Sequence, residues 1–125
     1  MKKKRNGNPD FYKLLSIIEI IYSAKNEDYA KGNPLGNFYR CEKGGVDAVS
    51  GIYARLTDKD SRVDNLMLNR NKGIKSKVKE SLPKTLLDKA VYSLLMILLL
   101  KKSDNFELEC LLNETQEEKE KSNAK

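Results

Sequence analysis

The amino-acid sequence predicts an all-α protein, a compact helical bundle of three to five helices. Apolar residues recur at helical spacing in three separate stretches, and no stretch of useful length alternates as a strand does. At 125 residues, 39% apolar and 34% charged, with three prolines and seven glycines, the chain can bury one core. Folding units commonly run to roughly 100 to 150 residues, so one domain is expected. Its predicted extent is 11–112, with a basic flexible N-terminus over 1–10 and a polar disordered tail over 113–125.

Asn8-Pro9-Asp10 opens the first predicted helix, in which Phe11, Leu14, Leu15, Ile18, Ile21 and Tyr22 form one stripe, widened by Ile17 and Ile20. Glu19 sits on the polar side, either as a solvent-facing glutamate or as a metal ligand pointing between helices. Asn26 to Gly45 reads as a loop, with four glycines, Asn33-Pro34 and one short helix near Asn37 to Glu42. A second main helix follows from Val46 to Leu68, with Val49, Ile52, Tyr53, Leu56, Val63, Leu66 and Met67 on one face. Gly51 inside it marks a place where another helix approaches closely.

A basic loop, Asn69 to Lys79, leads to the third main helix, capped by Ser81 and carrying Pro83 in its first turn, where a missing N–H is harmless. Apolar residues continue to Leu100 on nearly all sides, which predicts a central helix packed on several neighbours, or an oligomer interface. The run Ala90 to Leu100 is about half the roughly 20 residues a membrane span needs. A core helix is expected there, and a shorter fourth segment near Phe106 to Leu112.

The chain has no histidine, which excludes Ser-His and Cys-His nucleophile pairs, histidine zinc sites and imidazole proton shuttles. Cys41 and Cys110 are too far apart in sequence to form a CxxC or zinc-ribbon pattern and read as free thiols. No apolar stretch with a cleavage site follows MKKKR, so a cytoplasmic location and no membrane partner are expected. Residues 1–102 hold 21 basic against 11 acidic side chains, and residues 103–125 hold 3 against 7, so the body is +10 and the tail −4. Such a body attracts phosphates, although a lysine-rich, solvated surface accounts for the same numbers.

The most informative local pattern is Arg55, Asp58, Lys59 and Arg62, spaced i, i+3, i+4, i+7 so that all project into one wedge. Its cations suit a substrate's phosphates and its aspartate suits a divalent ion; the plain alternative is a solvated stripe with an Asp58–Arg62 pair. Glu80 and Asp88 frame the first half of the third main helix. Carboxylates on facing helices are how bundles hold Mg²⁺ or Mn²⁺, while Glu80 is also explained by the helix dipole.

Lys25-Asn26-x-Asp28-Tyr29, Arg55-Leu56-x-Asp58-Lys59-x-Ser61-Arg62 and Glu80-Ser81-x-x-x-Thr85-Leu86-Leu87-Asp88-x-Ala90-x-Tyr92 together resemble the phage nucleotide modification associated domain 1 family. That family is all-helical and similar to MazG-like all-α nucleoside triphosphate pyrophosphohydrolases, which split the α–β phosphate bond with carboxylate-held Mg²⁺. The resemblance implies a nucleotide or deoxynucleotide ligand and Mg²⁺ or Mn²⁺ on Asp58, Glu80 and Asp88, the same three being the catalytic candidates. It implies nucleotide-binding roles for Asp28, Tyr29, Lys59 and Arg62, while Arg55, from the charged wedge, and Lys84, one turn from Asp88, are further candidates for holding phosphate.

Two departures matter. The family pattern has an aspartate where this chain has Lys84 and an asparagine where it has Val91. An ammonium one turn from Asp88 repels a cation, so a degenerate pyrophosphohydrolase, or a pocket that binds nucleotide without turnover, is expected. The alternative is a small phage-encoded interaction protein inhibiting a host enzyme or defence complex, and on either reading a homo-oligomer is expected. Nucleic-acid binding by MKKKR and the Arg70 to Lys79 loop ranks third, because no aromatic cluster interleaves with those basic residues.

Overall fold

In the computed structural model, residues 5–29, 35–75 and 81–123 are described. Among them every regular element is helical: α1 (Pro9–Tyr29), α2 (Gly36–Tyr39) running into a 3-10 turn (Arg40–Gly44), α3 (Ala48–Asn71), α4 (Leu82–Asp104) and α5 (Glu109–Asn123). The expected all-α bundle is the observed architecture.

Local chemistry sets the helix ends. Asp47 caps α3, its carboxylate accepting the Ser50 N–H at 2.8 Å and the Ser50 hydroxyl at 2.9 Å. The Ser50 N–H, and then the hydroxyl, hold the Asp47 carboxyl below its ordinary value. Gly73, at φ 72°, follows the end of α3 in a left-handed conformation that an L side chain rarely adopts. Ser81 caps α4 by accepting the Lys84 N–H at 3.3 Å, and Pro83 occupies the first turn, as the sequence predicts. The chain leaves α4 through Asn105 at φ 54°, a position that asparagine tolerates better than most residues.

The main packing is α3 against α4. Lys59 lies opposite Asp88, and Ala48 shares a cleft with Leu99 and Lys102, so the two helices run antiparallel. Their shared seam buries Ala48, Ile52 and Leu66 from α3 and Thr85, Asp88, Val91, Leu95 and Leu99 from α4. The expected core run Ala90 to Leu100 thus supplies three of the buried side chains. Ile18 and Tyr22 of α1 lean on this core, while Leu35, Phe38 and Tyr39 close its far end. Lys102 reaches back over the Tyr39 ring at 4.6 Å.

The anticipated close approach at Gly51 comes from Cys41 in the 3-10 turn. A Cβ added at Gly51 would lie 2.9 Å from the Cys41 sulfur, which is itself 3.1 Å from the Phe38 carbonyl oxygen that accepts its S–H. Forcing a methyl into packed space costs about 1 to 3 kcal/mol, against about 1 kcal/mol gained by replacing a helical glycine with alanine. Gly51→Ala is therefore expected to destabilise the protein by about 1 kcal/mol, and to stabilise it by a similar amount in a Cys41→Ala background. Denaturant titration of the four proteins in the cycle measures this. Equal effects of Gly51→Ala in both backgrounds would contradict the contact.

α5 differs from expectation. The polar end expected to be disordered from 113 is helical as far as Asn123. Its run of Glu, Gln and Lys has high helix propensity, Glu109 lies in the first turn and Lys121 in the last, and both charges suit the helix dipole.

Candidate functional site

The charged candidates meet midway along the seam between α3 and α4. Ile52, Leu56, Lys59, Val63 and Leu66 follow one another at alternating steps of four and three, so Lys59 occupies a position that faces the neighbouring helix. On α4 the corresponding series is Thr85, Asp88, Val91 or Tyr92, Leu95 and Leu99. Each seam thus carries a charge where an apolar residue is usual, and the two charges are opposite one another.

Asp88 is the centre of this arrangement, its side chain only 8% exposed. Lys84, one turn earlier on α4, donates to Oδ1 at 2.7 Å. Lys59 Nζ lies 3.5 Å from Oδ2, its own side chain 16% exposed. Beside Asp88, Thr85 is fully buried, and its hydroxyl donates to the Ser81 carbonyl at 3.0 Å. A second bridge between the helices, Lys89 to Asp60 at 2.7 Å, runs along one flank. Burying a carboxylate is tolerable only when nearby positive charge and hydrogen bonds replace its water, and the two lysines do this.

Asp58 is placed differently. One residue from Lys59 is roughly 100° round a helix, and Asp58 accordingly faces solvent. Arg55 and Arg62 are one turn from Lys59 on either side along α3, both exposed, with the Arg55 guanidinium 5.7 Å above the Phe38 ring. The structure therefore brings Lys59, Lys84 and Asp88 into contact and leaves Asp58, Arg55 and Arg62 on the adjoining outer surface of α3. Glu80 lies outside the described residues, as do the first four residues of the MKKKR arm and the 76–79 part of the basic loop. Asp28 and Tyr29 end α1, and their side chains, like that of Glu27, are outside the described set. Glu19 is exposed, in keeping with its solvent-facing reading.

Both departures from the family pattern have visible consequences. Val91 belongs to the apolar core, where an asparagine amide would need polar partners. Lys84 holds Asp88 directly, so the carboxylate that the resemblance assigns to a metal already faces two ammonium groups. A divalent ion at Asp88 would have to displace or approach both, at an electrostatic cost. Among the described residues no three acidic or cysteine side chains converge as a metal-binding group. Among the described residues, Asp88 is held by Lys59 and Lys84, and Arg55 and Arg62 add positive charge on the adjoining surface of α3.

Sequence reasoning placed Lys59 in a charged wedge beside the apolar face and missed that it lies within the seam. It also missed the Asp60–Lys89 bridge. The stepping of Ile52, Leu56, Val63 and Leu66 was the signal, because Lys59 fills the one gap in that series.

Compared with family models, curated proteins and solved structures, the chain gives no match. Among the described residues no helix is long and apolar enough to cross a membrane.

Proposed function

We propose that this protein is a nucleotide-binding domain of the phage type, one that holds a polyphosphate through lysine and arginine and does not hydrolyse it through a carboxylate-bound metal. The observation that carries this reading is the engagement of both Asp88 oxygens by lysines from two helices. A half-exposed Lys84 at the mouth of that cluster, with Arg55 and Arg62 on the neighbouring surface, offers charge-assisted hydrogen bonds to phosphate oxygens. The resemblance of three sequence blocks to the phage nucleotide modification associated domain 1 family supplies the ligand class, a nucleoside or deoxynucleoside triphosphate.

The test is a screen of all nucleoside and deoxynucleoside triphosphates with Mg²⁺ and with Mn²⁺, following thermal shift and pyrophosphate release together. At a ligand concentration 100 times the dissociation constant, binding adds about 2.7 kcal/mol to stability, a readily measured shift. The expected result is a shift with at least one nucleotide and no pyrophosphate release above background. Release abolished by Asp58→Ala would restore the hydrolytic reading, with Asp58, Glu80 and Asp88 as its ligands and catalytic groups. The absence of any shift would remove the nucleotide reading altogether.

A second reading, a helical interaction protein directed at a host enzyme or defence complex, draws on the exposed apolar side chains of α1. A host protein retained by an Asp58→Ala, Arg62→Ala double variant would favour it, since both substitutions are on the exposed surface of α3.

A further inference from the structure

A cleft of about 390 Å³ opens where the start of α3 meets the end of α4. Its floor is apolar: Ala48 and Leu99 are buried and Val49 is half-buried. Tyr39, Glu42, Asp47 and Lys102 line its sides. The volume falls within the roughly 300 to 1,000 Å³ of small-molecule sites, and an apolar floor with a few polar groups is their usual make-up.

The lining selects a cation. Lys102 rests its ammonium 4.6 Å from the centre of the Tyr39 ring, so the face of that ring already receives positive charge. Among the described residues Lys102 forms no ion pair, and the Glu42 carboxylate has neither a hydrogen bond nor an ion pair. The ring alone holds the ammonium, and at an exposed site that hold is weak enough for a ligand to displace. Asp47 supplies a second carboxylate, kept ionised by its Ser50 contacts. Its oxygens retain lone pairs beyond those that cap α3. Two carboxylates against one ammonium make the cleft a local exception to the +10 body.

We propose that this cleft is a binding site for an aliphatic diamine or polyamine. One ammonium meets Glu42 and takes the place of Lys102 on the Tyr39 ring. The methylenes cover Val49 and Leu99, and a second ammonium meets Asp47. Lys102 is then an internal stand-in for the ligand, competing with it for the ring. The inference is independent of the nucleotide reading, because Leu99 lies three turns beyond Asp88 on α4, roughly 16 Å along the helix axis.

Titration calorimetry of the purified full chain with 1,5-diaminopentane and with 1-aminopentane tests it. The diamine is expected to bind about 5-fold more tightly than the monoamine, and Glu42→Gln to weaken diamine binding by about 5-fold. Lys102→Met is expected to tighten it by about 3-fold, because the competing ammonium is gone. Both side chains are exposed, and circular dichroism checks that the variants keep their helix content. Amide NMR shifts of the wild type, expected at Val49 and Leu99 and absent at Lys84, place the ligand without any variant. No binding of the diamine overturns the proposal, as do shifts that leave Val49 and Leu99 unmoved. Equal affinity for the monoamine, binding indifferent to Glu42→Gln in a folded variant, or weaker binding by Lys102→Met overturns it as well.

Discussion

Leu99→Ala is expected to destabilise the fold by about 3 to 4 kcal/mol, the largest single effect in the molecule. Leu99 is 2% exposed and packs with Ala48, Ile52, Val91 and Leu95 in the one cluster that joins α3 to α4. Truncation removes buried methyl groups and leaves a cavity that rigid helix backbones cannot fully close. For a domain of this length a loss of that size lowers the midpoint of thermal unfolding by about 10 °C or more. Ile52→Ala, from the facing helix, should act similarly, since Ile52 is 1% exposed. Because the two side chains share one cluster, the double variant should cost measurably less or more than the sum of the singles. Thermal melts of the three variants at one protein concentration decide the matter. A Leu99→Ala loss below about 1 kcal/mol would show that the α3/α4 seam is not the core.

Asp88→Ala comes next, at about 3 kcal/mol, by a different mechanism. The aspartate itself brings little net stability, because desolvating it offsets most of its attraction to the lysines. Removing it leaves Lys59, 16% exposed, inside the seam without the carboxylate. Lys84 is 43% exposed and can turn to water, whereas Lys59, 16% exposed, loses a carboxylate that helps replace its water. Replacing both seam charges, Lys59→Met with Asp88→Leu, should therefore recover most of the loss or exceed wild-type stability. Urea unfolding of wild type, the single variant and the double variant measures this. If the double variant is less stable than Asp88→Ala alone, the lysine is not the source of the penalty. The pair would then have a different worth: facing charges at single seam positions fix which residues of α3 meet which of α4.

Much of the fold was legible because its signals are local. Ser81 with Pro83 located the start of α4, the rhythm from Val49 to Met67 located α3, and Gly51 flagged a close approach, which Cys41 of the 3-10 turn makes. The misread tail shows the limit of composition as a guide: Glu and Lys make a segment polar, yet they are also good helix formers, so polarity did not entail disorder through Asn123.

The site was legible only in part. Lys59 was named from spacing, Asp88 from its place on the third main helix and Lys84 from the departure from the family pattern, but their mutual geometry depends on how α3 registers against α4, a long-range fact that no local pattern contains. Lys84 was expected to oppose a cation near Asp88, and the 2.7 Å contact gives that expectation a physical form. Asp58 shows the opposite case: the i, i+3, i+4, i+7 spacing put it in one wedge with Lys59, while the roughly 100° between the two on the helix leaves Asp58 facing solvent.

Titration calorimetry of nucleoside triphosphates in the presence of a chelator, comparing wild type with Lys84→Gln, tests the central claim most directly. If the lysines and arginines around Asp88 hold phosphates by themselves, wild type binds without any divalent ion and Lys84→Gln binds about 10-fold more weakly, the usual worth of one charge-assisted hydrogen bond. Binding that appears only when Mg²⁺ is restored, and that is indifferent to Lys84→Gln, would contradict the account.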